Sequence, residues 1–169
     1  INVAACFLSL VAAVALVAHR PEIGRYLLVD DLNISFIVLT NLVATTTSGF
    51  SASYIAHELE IGRLQPRYMR FYHAMYQMLL FAMNLALLAN NIGLMWVAVE
   101  LATLTTVLMV GLYRTHEALE AAWKYFILGS VGIALALYGT ILVFQAALPV
   151  IGQGAQAMAC LLYTSPSPR

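Results

Sequence analysis

Residues Ile92–Tyr113 read IGLMWVAVELATLTTVLMVGLY, a run of 22 residues with one charged group, Glu100. As a helix it would rise roughly 33 Å, enough to cross a hydrocarbon core of about 30 Å. Lipid offers no hydrogen bonds to exposed peptide groups, so a run this apolar is read as a transmembrane helix. Working outward, four further runs follow the same rule: Ile1–Ala18, Asn33–Ala56, Phe71–Ala89 and Ala118–Phe144. The fold class is therefore all-α, a polytopic membrane helix bundle of about five spans occupying residues 1–144.

Composition supports this class. The chain is 62% hydrophobic and only 9% charged, with a mean hydropathy of +0.85. A soluble domain carries roughly 25% charged residues, so the lipid bilayer is the expected surroundings. Eight Lys and Arg balance eight Asp and Glu. With no basic excess to neutralise phosphates, nucleic acid is not an expected partner. Cys6 and Cys160 form no C-x-x-C pair and no disulfide framework. The chain starts at Ile1 with no basic region ahead of its first apolar run, which suggests a fragment rather than a signal peptide.

The connections carry most of the charge. Arg20 and Arg25 lie in the first; Arg63, Arg67 and Arg70 in the second; Asn90 and Asn91 form the third; Arg114 lies in the fourth. Alternation puts four arginines on one face and two on the other, so the positive-inside rule assigns the Arg63–Arg70 side to the cytoplasm. Small residues recur every four positions at Ala5, Ser9 and Ala13 and at Gly132, Ala136 and Thr140, a pattern that lets helix backbones approach closely. After Phe144 the apolar pattern decays. Residues 145–169, with Pro149 and the ending Tyr163-Thr-Ser-Pro-Ser-Pro-Arg169, resemble a truncated frame joined to a translated adapter, and are set outside the fold.

Two residues inside spans ask for a chemical reading. Glu100 lies about 12 Å from one end of its span and about 20 Å from the other. A charge at that depth costs on the order of 2.5–3.5 kcal/mol, and intramembrane ionisable groups mark ion pathways by default. The alternative is a neutral Glu hydrogen-bonded to a neighbouring helix. Lys124 lies about 10 Å into the last span, with Glu120 four residues before it in the favourable order for an ion pair. It either snorkels or pairs with Glu120, or it serves as a second charged station. The two spans are antiparallel about the Arg114–Glu117 turn, which offsets Glu100 from Lys124 by roughly 10 Å in depth. A contact salt bridge between them is not expected.

Asn41, Thr45, Thr46, Thr47, Ser48, Gln77 and Asn84 read first as hydrogen-bonding glue between helices. His73 is either an interfacial histidine or an entry point for protons from the cytoplasmic face. Soluble-enzyme motifs fail. His57-Glu58-Leu59-Glu60-Ile61 lacks the second zinc-binding His, and Gly152-Gln153-Gly154 lacks the remainder of a dinucleotide site. No metal or cofactor is expected in the chain.

The run Asn90–Leu104, with its Trp96-x-x-x-Glu100 spacing, and the run Glu120-Ala-Ala-Trp-Lys124-Tyr-Phe-Ile-Leu-Gly129 together resemble the antiporter-like subunits of complex I, Mrp antiporters and membrane-bound hydrogenases. The likeness extends from about Asp30 to Phe144, takes in Tyr68–Gln77, and runs nearest to the hydrogenase-4 component F branch. It implies a larger fold of about fourteen helices in two inverted halves, of which this chain would hold an N-terminal piece. It implies proton translocation through Glu100 with Lys124 nearby, the partners being other membrane subunits and a peripheral redox arm. It also implies a prokaryotic cell membrane as location. His73, Glu120 and Asn84 are accessory candidates. The rival expectations are an Mrp-type Na⁺/H⁺ antiporter subunit and a scaffold that transports nothing.

Overall fold

The computed structural model describes residues 2–21, 24, 26–62, 64–151, 158 and 159. Five helices follow one another: α1 (Asn2–Ala18), α2 (Asp31–Glu60), α3 (Pro66–Leu88), α4 (Ile92–Val110) and α5 (His116–Ile151). A single 3-10 turn, Gly111–Tyr113, links the last two. Among the described residues there is no strand, only two isolated bridges.

Local chemistry sets the helix ends. Asp30 caps α2 by accepting from Asp31 N–H, and Pro66 opens α3 where its missing donor costs nothing. Asn91 caps α4, its Oδ1 accepting from Leu94 N–H at 3.1 Å. These caps extend α2 and α3 beyond the apolar runs at both ends of α2 and at the start of α3. α2 through α5 are long and apolar enough to cross a membrane. α1, with 17 described helical residues, rises about 25 Å.

α5 departs from expectation at its far end. It runs to Ile151, seven residues past Phe144, and contains Pro149. Ala146, Ala147 and Leu148 are strong helix formers, and Pro149 sits in the final turn, where its absent N–H forfeits a single bond. Residues 145–151 therefore belong to the helix and not to a tail. Cys160, Gly152-Gln153-Gly154 and the stretch from Tyr163 lie outside the described residues.

Consecutive helices pack side by side, α1 reaching α3 as well as α2. At one end, Leu28 N–H donates to Leu88 O and Asn90 N–H to Tyr26 O, at 2.8 and 2.7 Å, joining the first and third connections. At the other end Ile55, Leu64 and Leu112 form a buried cluster, bringing the second and fourth connections together. The alternation read from sequence thus holds. A middle cluster of Cys6, Tyr76 and Leu80 ties α1 to α3, with Ala44 of α2 against it.

The two small-residue rows fare differently. Ala13 is buried, with Ala5 and Ser9 half-buried beside it, on the packing face of α1. Gly132 and Ala136 are exposed on α5, and a Cβ built on Gly132 would meet nothing within 4 Å. That row joins no interface among the described residues. α5 meets α4 along a different stripe.

Candidate functional site

That stripe is built by Trp96, Glu100 and Thr103, which lie at i, i+4 and i+7 on one side of α4. Trp96 Nε1–H donates to Ile133 O of α5 at 3.0 Å. Thr103 Cγ2 lies 3.1 Å from where a Cβ on Gly129 would stand. Tyr125 Oη meets Thr106 Oγ1 at 3.3 Å one turn further on. Glu100 therefore lies between two α4–α5 contacts, on the side of α4 that faces α5. Gly129 is what admits the approach of Thr103.

Glu100 is half-buried as a residue, but its Oε2 is fully enclosed and has no hydrogen-bond partner among the described residues. The neighbouring polar groups are already engaged. Thr103 Oγ1–H donates to Val99 O at 3.0 Å and Ser130 Oγ–H to Phe126 O at 2.7 Å, both back onto their own helices. An enclosed carboxylate oxygen without a partner is costly as a charge.

Lys124 is turned elsewhere. Its Nζ donates to Glu120 Oε1 at 2.5 Å in an i,i+4 ion pair, and the two side chains are 71% and 52% exposed. The α4–α5 register follows from Trp96–Ile133, Thr103–Gly129, Thr106–Tyr125 and Gly111–Ala122. By that register Glu100 is level with the Gly129–Ile133 turns of α5. Lys124 therefore stands roughly 10 Å away along the axis, as the turn geometry implied. Glu120 and Lys124 are brought together; Glu100 is brought to neither.

His73 sits on the second turn of α3, edge-on to Tyr72 with centroids 5.5 Å apart. Its Nδ1 is buried and has no hydrogen-bond partner among the described residues. Asn84 is fully occupied. Asn41 Nδ2–H donates to Asn84 Oδ1 at 2.8 Å, while Asn84 Nδ2–H donates to Leu80 O at 2.9 Å. Asn41 is 1% exposed. The pair joins α2 to α3 and has the geometry of packing glue.

A further polar seam joins Gln77 and Ser48, expected from sequence as glue between helices, to Asn2 and Cys6, which were not. Gln77 Nε2–H donates to Asn2 Oδ1 at 2.5 Å and to Cys6 Sγ at 3.2 Å, and Asn2 Nδ2–H donates to Ser48 Oγ at 3.2 Å. Tyr76 Oη–H donates to Ala44 O at 2.7 Å, and Ser51 Oγ meets Tyr72 Oη. Glu58, noticed only inside a failed zinc motif, is 4% exposed. Among the described residues no group of His, Cys, Asp or Glu has the arrangement to hold a metal.

An apolar bundle that holds, among the described residues, one carboxylate with an enclosed and unpartnered oxygen defines an integral membrane protein with an ionisable group inside a helix pair. The family model described as NADH:quinone oxidoreductase/Mrp antiporter, transmembrane, matches residues 89–149, the part that carries Glu100 and Lys124. The chain is 61% identical over 159 residues to a hydrogenase-4 component F homolog of Methylacidiphilum infernorum, covering 94% of this chain and 33% of that one. It is 32% identical to NADH-quinone oxidoreductase subunit N of Cutibacterium acnes, over 75% of this chain and 25% of the relative. A subunit N of Rhizobium meliloti is 31% identical, over 85% and 29%. The chain belongs to the antiporter-like membrane subunit family shared by these oxidoreductases, and of the three relatives named its identity is highest to the hydrogenase-4 component F homolog. It spans about a third of the length of the curated relatives it matches. With bacterial relatives and four apolar helices, its place is a prokaryotic inner membrane.

Proposed function

We propose that this chain is part of a proton-translocating membrane subunit of a hydrogenase-type or NADH-quinone-oxidoreductase-type complex. The observation that carries the reading is the enclosed, unpartnered Oε2 of Glu100 on the α4–α5 seam. An ionisable group held inside a transmembrane helix marks an ion path by default, and no donor among the described residues occupies this oxygen. Glu100 is the carrier in this reading. The Glu120–Lys124 pair is a second charged station, acting on Glu100 through space across roughly 10 Å rather than by contact. His73 stands toward the arginine-rich side as a point of proton entry, and Asn84 supports the carrier hairpin by tying α3 to α2. The redox chemistry belongs to partner subunits, and this chain supplies the proton path.

The test is Glu100→Gln in the complete gene, with proton uptake and electron transfer measured together in inverted vesicles. Electron transfer is expected to continue while pumping falls by at least about tenfold, a barrier increase of about 1.4 kcal/mol. Pumping equal to wild type would overturn the proposal and leave a scaffold. The family description also names Mrp antiporters. Sodium-dependent proton exchange without a redox substrate would move the reading to that branch.

A further inference from the structure

The face of the bundle assigned to the cytoplasm carries a feature unrelated to Glu100. Between the start of α3, the 3-10 turn and the start of α5 lies a groove of about 740 Å³. Its wall is largely apolar, formed by Phe71, Leu108, Leu112, Leu119, Trp123 and Phe126, and the exposed Arg67 and Arg114 also line it. The two guanidiniums converge on one ring: Arg67 Cζ is 5.3 Å and Arg114 Cζ 5.2 Å from the Tyr68 centroid. They cannot be further apart than about twice that distance. Among the described residues neither has a carboxylate within salt-bridge distance, whereas Arg20 pairs with Asp31 and Lys124 with Glu120. The groove therefore holds two positive charges with no counter-charge of its own.

Arg114 holds its position at a cost. It occupies the left-handed region, with φ 51° and ψ 22°, closing the 3-10 turn by donating its N–H to Gly111 O. It is the one described non-glycine residue with positive φ. Glycine would take that conformation without strain, whereas a residue with a side chain is strained there. The arginine side chain at this corner is what glycine could not supply.

We propose that the groove binds an anionic phospholipid, its phosphate between Arg67 and Arg114 and its acyl chains along Leu119, Trp123 and Phe126. The distances suit this ligand. From Arg114 to Phe126 the chain descends about 15 to 18 Å, the depth of one leaflet's hydrocarbon layer. Leu119 and Trp123 remain more than half exposed to receive the chains. A free phosphate would use the arginines but leave the apolar wall without purpose. Basic pockets between transmembrane helices on the cytoplasmic side are where anionic headgroups are recognised, and arginine forks suit phosphate oxygens.

The experiment uses the complete subunit within its complex, purified in mild detergent, with a phosphatidylglycerol carrying a photoreactive group in its acyl chain. Irradiation is expected to label the segments containing Trp123 and Phe126. Unlabelled phosphatidylglycerol should compete, and neither phosphatidylcholine nor inorganic phosphate should. The Arg67→Ala/Arg114→Ala double variant should lose labelling about tenfold or more, with Arg67→Lys/Arg114→Lys in between. Arg114→Gly relieves the backbone strain, so its folded state is expected to persist while labelling falls. Equal competition by phosphatidylcholine, competition by inorganic phosphate, or labelling confined to other segments would each overturn the proposal. So would adducts showing a protein segment seated in the groove. If a variant does not fold, the labelling map and competition on the wild-type complex decide the matter.

Discussion

Glu100 and Gly129 show how much one atom matters where helices meet in lipid. The α4–α5 seam is tight because Gly129 has no side chain, a Cβ there standing 3.1 Å from Thr103 Cγ2. Gly129→Ala should therefore push the helices apart by a few tenths of an ångström and cost about 1 kcal/mol, read as a lower unfolding midpoint in detergent. Thr103→Ser removes the opposing methyl and keeps the hydroxyl. Combined with Gly129→Ala it should recover most of the loss, and a double variant no better than Gly129→Ala alone would show the contact is not limiting. Glu100 was legible in the sequence as a lone charge in an apolar run. That its enclosed oxygen would find no partner among the described residues was not, because this depends on Thr103 one turn away and Ser130 of the next helix both having spent their hydroxyls on their own helices.

Between elements, polar side chains rather than apolar contrast specify which helices meet. Lipid solvates an apolar helix as well as another helix does, so close packing and hydrogen bonds must choose the partner. Asn41–Asn84 is such a choice for α2 and α3. Asn84→Leu should weaken that pair by about 0.6–1.7 kcal/mol, measured as reduced resistance to denaturing detergent. An unchanged midpoint would mean that the Tyr76–Ala44 and Ser51–Tyr72 bonds suffice. The ends of elements were less legible than their existence. α5 passes Phe144 because alanines and a leucine carry the helix through to a proline in its last turn, whereas hydropathy alone reads the glutamine and proline as a stop.

At the scale of the whole molecule the arrangement is two ends joined by alternating helices, with arginine on one end in excess. Thr115 is exposed beside the groove and Pro21 is exposed at the opposite end. Cysteines placed at each in the complete gene should label with an impermeant reagent from opposite sides. Thr115→Cys is expected to react in inside-out vesicles and Pro21→Cys in right-side-out ones. The reverse pattern would invert the orientation and place Arg67 and Arg114 on the outer leaflet.

What the sequence by itself determined was the class, the number of helices among the described residues, their alternation and the axial offset between Glu100 and Lys124. Each follows from run length, rise per residue and the bilayer's thickness, which are local quantities. The tertiary structure decided what depends on rotation and register. It set Thr103 against Gly129 on the same side of α4 as Glu100, paired Lys124 with Glu120 on the exposed face of α5, buried Glu58, and brought two arginines from distant segments to Tyr68. The reason is physical. α4 is apolar nearly all round and α2 spreads its polar residues around its circumference, so neither carries a stripe to mark the inward face. Their orientation emerges only when small residues, hydroxyls and amides from separate helices find one another.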